Sequence, residues 1–450
     1  MELLYLLVII EILLLYTSWR VFERDLFSPF VLSILLFIPC TLLCIWAKDL
    51  WRMQLSSMTF GVMICGFFSM YLGGTFSLMY RKKPSPSHLL FCYSTSLTSL
   101  FIMSLTCILG TYLYYREMIQ LIIAANIAET TGIGDAKDLL TSGEYTINPF
   151  IKQMYKVVIA LAYICFFVIS TNVINKKNKK HVTFYLIPII CGIIISVLAG
   201  NRIEIFKILS SFAFIFYILW QRAHGWNTKP NRLLLQYVIP IMFLFVIAFA
   251  GLRFITKSSG AAQDNINDIG EYTAYYAGSG LQVLNIKIGR GVERWRSSYF
   301  GGTMFPDFYS FFSDKGLIPE AKTKEGQMVY VGGDSNADGN VHTFFGRGYI
   351  DFNLPGMIIS TFLIYFFFSR YYYRHIVGSV SSYKSNLRLL LYTWCYSNVI
   401  ALSFYENNIT AIFSQTGVLQ LIVLWFLYVL IMKKIVRKEL VTNPYFGNKK

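Results

Sequence analysis

Residues 27–47 read FSPFVLSILLFIPCTLLCIWA, a run without a single charge. As a helix it is long enough to cross a hydrocarbon core about 30 Å thick. Comparable apolar runs cover approximately 2–18, 56–80, 89–114, 154–175, 183–200, 203–221, 235–254, 344–369, 387–404 and 409–432. Within lipid every backbone polar group must be satisfied inside the segment, so runs of this length predict helices. Eight of the eleven lie in residues 1–255 and three in 344–432. Between them, 256–343 is rich in Gly, Asp, Arg and aromatics and is the one sizeable stretch able to fold in water. The expected fold is an all-α polytopic membrane protein of about 11 transmembrane helices with one large external loop. Its parts are a first membrane block (1–255), the loop (256–343), a second block (344–432) and a basic cytoplasmic tail (433–450).

Composition agrees. The chain is 55% hydrophobic and 14% charged, with mean hydropathy +0.51, which does not describe a soluble domain. A net charge of +16 raises nucleic acid as a partner, but the distribution of that charge argues against it. Basic residues gather in short clusters between apolar runs: Arg81-Lys82-Lys83, Lys176-Lys177, Lys179-Lys180, Arg370/Arg374/Lys384/Arg388 and Lys433/Lys434/Arg437/Lys438. Such clusters hold loops in the cytoplasm and attract anionic lipid head groups. The eight cysteines (40, 44, 65, 92, 107, 165, 191 and 395) all fall in or beside apolar runs and none in the long loop. They read as packing residues, not as disulfides or metal ligands. Glu11 interrupts the first run and no small-residue cleavage site follows it, so that run reads as a retained helix and not a cleaved signal.

An odd number of spans puts the termini on opposite sides. With a cytoplasmic C-terminus, the cytoplasmic segments carry about 22 Lys and Arg against three acids, and the long loop eight against ten. The positive-inside bias selects this topology, leaving the N-terminus, the 115–153 loop and the long loop outside. Met118 to Ala128 is an apolar run too short to span, expected as an interfacial or re-entrant piece.

On that topology several charges share one depth on the outer face: Arg202 with Glu204, Arg253, Arg347 with Asp351 one helical turn on, and Glu406. Charge at a span end is costly and is commonly paired or functional. Each arginine taken singly could merely snorkel to head groups. The three together each have a neighbouring glycine, in Gly200-Asn201-Arg202, Gly251-Leu252-Arg253 and Gly346-Arg347-Gly348. Glycine permits close approach and the guanidinium fork matches a pair of phosphate oxygens. In the long loop, Lys287, Arg290 and Arg294 would share one face of a helix, either a solvated face or a second contact for a polyanionic head group or sugar chain. Asp334, Asp338 and His342 lie near a Gly-Asp-rich stretch without EF-hand spacing, so no metal site is expected. Walker A, GxSxG and HExxH motifs are all missing from the sequence.

The stretch Gly339-Asn340-Val341-His342-Thr343-Phe344-Phe345-Gly346-Arg347-Gly348-Tyr349-Ile350-Asp351-Phe352-Asn353-Leu354-Pro355-Gly356 resembles a signature of oligosaccharide repeat-unit polymerases, the Wzy-type O-antigen and capsule polymerases. There an Asn-x-x-Thr leads to an aromatic or basic pair, Asp-Phe-Gly and a further Gly; here Asn353 stands in place of the first Gly. Gly200-Asn201-Arg202, Arg253 at the mouth of the loop and Tyr275-Tyr276-Ala277-Gly278-Ser279-Gly280 are similar to other parts of the same family, as is the overall plan. The resemblance implies a GT-C-like polymerase/ligase architecture in the bacterial inner membrane with its active face extracytoplasmic. It implies inverting transfer of a growing glycan from undecaprenyl diphosphate onto the non-reducing end of another lipid-linked repeat unit. Arg202, Arg253 and Arg347 would stabilise the leaving diphosphate without a metal or other cofactor. Glu406, Asp351 or His342 would accept the hydroxyl proton. Lys287, Arg290, Arg294, Tyr275 and Tyr276 would contact head group or sugar. The partners implied are undecaprenyl-diphosphate-linked oligosaccharides and membrane lipids, with a chain-length regulator a further candidate and nucleic acid excluded. An O-antigen ligase shares the plan. A lipid-linked oligosaccharide flippase or transporter instead predicts ionisable residues within spans, and only Glu11 lies deep in one.

Overall fold

A computed structural model describes residues 2–82, 89–124, 140, 146–175, 181–200, 202–226, 269–320, 328–333 and 338–442. Among them, eight helical runs are long and apolar enough to cross a membrane: Leu3–Val21, Pro29–Trp46, Ser57–Tyr80, Leu97–Ile123, Pro149–Ile174, Ile203–Ala223, Thr343–Val377 and Gln415–Ile435. The molecule is an all-α membrane protein. The run expected at 183–200 is a shorter apolar helix, Val182–Leu198. The run expected at 387–404 corresponds to helix Tyr383–Val399, and the run at 235–254 lies outside the described residues.

Two expected elements differ. The run at 89–114 opens as a strand, β1 (Leu89–Thr95), before helix Leu97–Ala124 begins. A short apolar stretch cannot be assigned to helix or strand by periodicity alone. Here tertiary pairing decides, because β1 runs antiparallel to Val436–Thr442 in the tail, with Tyr93 opposite Lys438. Met118, expected in a separate interfacial piece, continues the helix that begins at Leu97; 125–130 lie outside the described residues.

The chain divides into two compact units. The first comprises 1–81, 261–374 and 395–418. It holds α1 (Glu2–Val21), α2 (Pro29–Trp46) and α3 (Ser57–Ser77). From the polar stretch come α8 (Ile269–Gly289) and α9 (Pro306–Asp314), followed by α10 (Thr343–Tyr371) and the short α12 (Thr410–Phe413). In the second unit, 82–260, 375–394 and 419–450, lie α4 (Leu97–Ala124), α5 (Pro149–Ile174), α6 (Val182–Leu198) and α7 (Arg202–Ala223). Asn172 of α5 donates to Tyr93 O and accepts from Tyr93 N, both at 2.8 Å, and Asn175 donates to Phe91 O at 2.7 Å. These amides satisfy backbone groups along β1 that its pairing with the tail leaves open. Also in this unit, Arg222 is buried and donates to Asn386, Ser379 and the Ile376 carbonyl at 3.0–3.2 Å.

In the first unit α3 and α10 run parallel in close contact. A Cβ at Gly66 would enter the Phe345 ring, and one at Gly73 would lie 2.6 Å from Phe362 O. Small residues at such spacing let helices approach closely in lipid. α10 is kinked at Asn353 (φ 55, ψ −167), two residues before Pro355, where the ring removes a helical donor. The two ends of the unit differ in chemistry. At one end Arg81 pairs with Glu23 at 2.6 Å and lies over the Tyr373 ring, while Arg370 lies 4.3 Å from the Tyr80 ring centre. At the other end the polar stretch docks on the α2–α3 connection. Asn285 accepts from Ser56 N at 3.0 Å and donates to Gln54 O at 2.8 Å, and Gly332 and Gly333 press on the carbonyls of Trp51 and Leu50.

Candidate functional site

The start of α10 is where the polar stretch, a membrane helix and the turn after residue 402 meet. Phe344 N donates to Ser403 O at 3.0 Å, and Thr343 forms a parallel bridge with Glu406. Thr343 holds φ 53, an uncommon conformation for a β-branched residue that only its surroundings can maintain. A Cβ on Gly280 of α8 would lie 3.3 Å from Thr343 N and 3.5 Å from Tyr405 O, so α8 backs closely onto both segments. Three pieces distant in sequence thus converge by backbone contact before any side chain is considered.

On this frame Arg347 Nη2 meets Glu406 Oε1 at 2.9 Å. Its other terminal nitrogen donates to Asn407 O at 3.3 Å. The two side chains are only 11% and 12% exposed. A pair so withdrawn from water has lost much of its hydration, and its attraction is little screened. Of the outer-face charges expected to meet, these two do. Arg202 opens α7 in the second unit, and Arg253 lies outside the described residues.

His342 precedes Arg347 by just over one turn and is completely buried. A Cβ on Gly346 would lie 2.6 Å from its ring, so glycine at 346 makes room for the imidazole. Burial, with the positive charges of Lys287 and Arg347, holds its pKa well below the usual 6.5. The ring is neutral at physiological pH.

Lys287 is also fully buried. Its ammonium lies 5.2 Å from the Trp295 ring centre and 3.4 Å from Asn340 O. A cation over an aromatic face in a dry site is stabilised by the ring quadrupole. The common face expected for Lys287, Arg290 and Arg294 is not formed, because α8 ends at Gly289 and a short 3₁₀ turn, Val292–Trp295, redirects the chain. Arg290 and Arg294 are exposed while Lys287 points inward.

Asp351 has a different environment from Glu406. It accepts from Met304 N at 2.7 Å and Thr303 N at 3.3 Å. Nearby, Arg296 donates to Ile350 O and to Asn353 Oδ1, both at 2.9 Å. Asp351 and Arg296 therefore fasten the 296–304 stretch to α10 at its kink, with Arg296 bracing the side chain of the residue at positive φ. Both Asp351 oxygens are engaged by backbone donors, which suits positioning more than proton transfer. Tyr275 is nearly buried and donates to Asp338 O; its ring stands edge-on to Tyr276 at 5.1 Å. Tyr276 is partly exposed and better suited to stack on a sugar. Asp334 lies outside the described residues.

Sequence reasoning missed Trp295, Ser403 and Asn407 and gave Asn340 only as part of the resembled stretch; these residues contribute a ring face or backbone carbonyls. Backbone contacts leave no residue-type signal, and the Trp295 ring is brought to Lys287 only by the 3₁₀ turn. In comparisons with known proteins, no family model, no curated protein and no solved structure matches this chain.

Proposed function

We propose that the protein is a membrane-embedded glycosyltransferase that polymerises undecaprenyl-diphosphate-linked oligosaccharide repeat units into O-antigen or capsular polysaccharide. The observation that carries this reading is the Arg347–Glu406 pair at the start of α10. Such a pair supplies both charges that a diphosphate-leaving transfer needs, a cation for the leaving group and a carboxylate for the acceptor proton. The diphosphate takes the guanidinium fork of Arg347 in place of Glu406. The carboxylate so released faces the acceptor sugar. The acceptor oxygen then bonds to the anomeric carbon from the side opposite the phosphate, and the carbon–phosphate oxygen bond breaks with its electron pair leaving on the diphosphate. Glu406 takes the hydroxyl proton. Lys287 and Arg347 give the site a positive field, which neutral His342 does not add to. Arg202 and Arg253 have no part in this geometry and rest on the sequence resemblance alone.

Asn353 supports the same reading. Its φ of 55 is a backbone conformation at which glycine is at home, and it occupies the position where the resembled signature has Gly. The reading also takes the polar stretch as extracytoplasmic and the C-terminus as cytoplasmic in the bacterial inner membrane. A second reading, transport of the lipid-linked oligosaccharide, is favoured by Glu11, which is fully buried in a span. Inactivating the gene in its host and resolving the surface glycan on a gel separates them. Loss of the polymerase leaves a single repeat unit on the carrier core. Loss of a transporter or ligase leaves none.

A further inference from the structure

The stretch from Tyr299 to Leu317 lies within the segment read as able to fold in water, yet it displays apolar surface. Phe300 is 84% exposed, Phe308 47%, Phe311 40% and Leu317 67%. Water-soluble loops rarely gather so many exposed aromatics, and a contiguous set marks an interaction surface. α9 carries Phe308 and Phe311 three residues apart on one side, as an amphipathic helix requires.

Its place in the fold identifies the partner. Asp307 Oδ2 accepts from Thr410 Oγ1 at 3.3 Å, and the Phe305 ring meets Phe413 edge-on at 6.2 Å. Phe413 is itself exposed and stands immediately before the membrane run Gln415–Ile435. On the other side, Phe300 packs on Phe352 of α10 at 4.9 Å, inside the run Thr343–Val377. The exposed face of α10 continues from there through Ile359, Leu363 and Phe367, the four-residue recurrence of a lipid-facing stripe. The aromatic surface is thus continuous with the apolar flanks of two helical runs long enough to cross a membrane.

We propose that α9 and the flanking Phe300 form an interfacial segment that lies in the membrane surface, with Phe308 and Phe311 immersed among phospholipid acyl chains. Aromatic side chains favour that boundary, and a helix apolar on one side lies flat in it. The segment then fixes the height of the site, because Asp351 grips Thr303 and Met304 just before α9 begins.

The test places a photoreactive benzophenone amino acid singly at positions 308, 311, 359 and 290 of the full chain. Each variant is reconstituted in vesicles of phosphatidylethanolamine and phosphatidylglycerol. After illumination, positions 308 and 311 are expected to give phospholipid adducts at the level of position 359, with none at the exposed position 290. Absence of lipid adducts at 308 and 311, with 359 positive, overturns the proposal. So does cross-linking of 308 and 311 to a second copy of the chain. Adducts to an added undecaprenyl-linked oligosaccharide, with phospholipid adducts absent, also overturn it and make this face a groove for the substrate's isoprenoid chain. A fluorescence-detected size-exclusion profile matching the unmodified protein establishes folding for each variant.

Discussion

Arg347 and Glu406 stand 2.9 Å apart in a setting that leaves each about one-tenth exposed, and each is carried by a different membrane-proximal element. One opens α10; the other lies in the turn following α11 (Tyr383–Val399). Their pairing ties the start of α10 to the turn after α11 and fixes the geometry of the candidate site.

Removing one member leaves the other charge withdrawn from water and uncompensated. Arg347→Met and Glu406→Gln should each lower stability by about 3 kcal/mol, within the range for broken buried pairs. The double variant should lose less than the sum, since it strands no charge. Thermal unfolding of the four proteins in detergent measures the coupling. Additive losses would show that the two side chains do not depend on one another.

Asp351 and Glu406 were indistinguishable as bases in the sequence and separate clearly in their contacts. Asp351→Asn keeps one acceptor oxygen and should retain most transfer activity. It should also speed protease cleavage within 296–304, as the Thr303 and Met304 anchor loosens. Glu406→Gln should lose transfer by two to three decades, a typical scale for removing a general base. Equal loss of transfer in both variants would contradict the assignment.

The membrane plan was legible because long uncharged runs admit few other structures. Each of the eight long apolar runs overlaps an expected one, but Leu97–Ile123 starts eight residues later and ends nine later than expected, and Thr343–Val377 runs eight residues further. β1 was not anticipated, because Leu89–Thr95 is apolar in either conformation and only its pairing with Val436–Thr442 selects the strand. Within the site, Arg347 and Glu406 could be named from their position at span ends. Their partnership could not, since nothing in the chain links residue 347 to 406 except the folded backbone. The inward turn of Lys287 was hidden for the same reason, as it depends on where α8 stops.

His342 predicts a pH dependence of stability. Its folded pKa lies below the unfolded value near 6.5, so below that pH the unfolded chain binds the proton more readily. Stability is therefore fully present above pH 6.5 and falls as pH drops from there toward the folded pKa, by up to about 1.4 kcal/mol per pH unit. His342→Gln should flatten this limb of a melting-temperature profile between pH 7 and 5. An unchanged slope in the variant would assign the acid sensitivity to other groups.

Glu11 accepts from Thr41 Oγ1 at 2.8 Å, and its second oxygen has no hydrogen-bond partner among the described residues. An uncompensated charge there would be costly. Glu11→Gln should therefore fold and polymerise normally, whereas Glu11→Lys should fail to accumulate in the membrane. Abolished activity with normal accumulation in Glu11→Gln would instead mark a proton-transfer role and favour transport.

The central claim is tested most directly with purified protein in nanodiscs supplied with undecaprenyl-diphosphate-linked repeat units. The account predicts lengthened lipid-linked glycan and one released undecaprenyl diphosphate per new linkage, with both products lost in Arg347→Ala and Glu406→Gln although each variant still folds. No lengthening by the wild-type protein, or full lengthening by both folded variants, would contradict it.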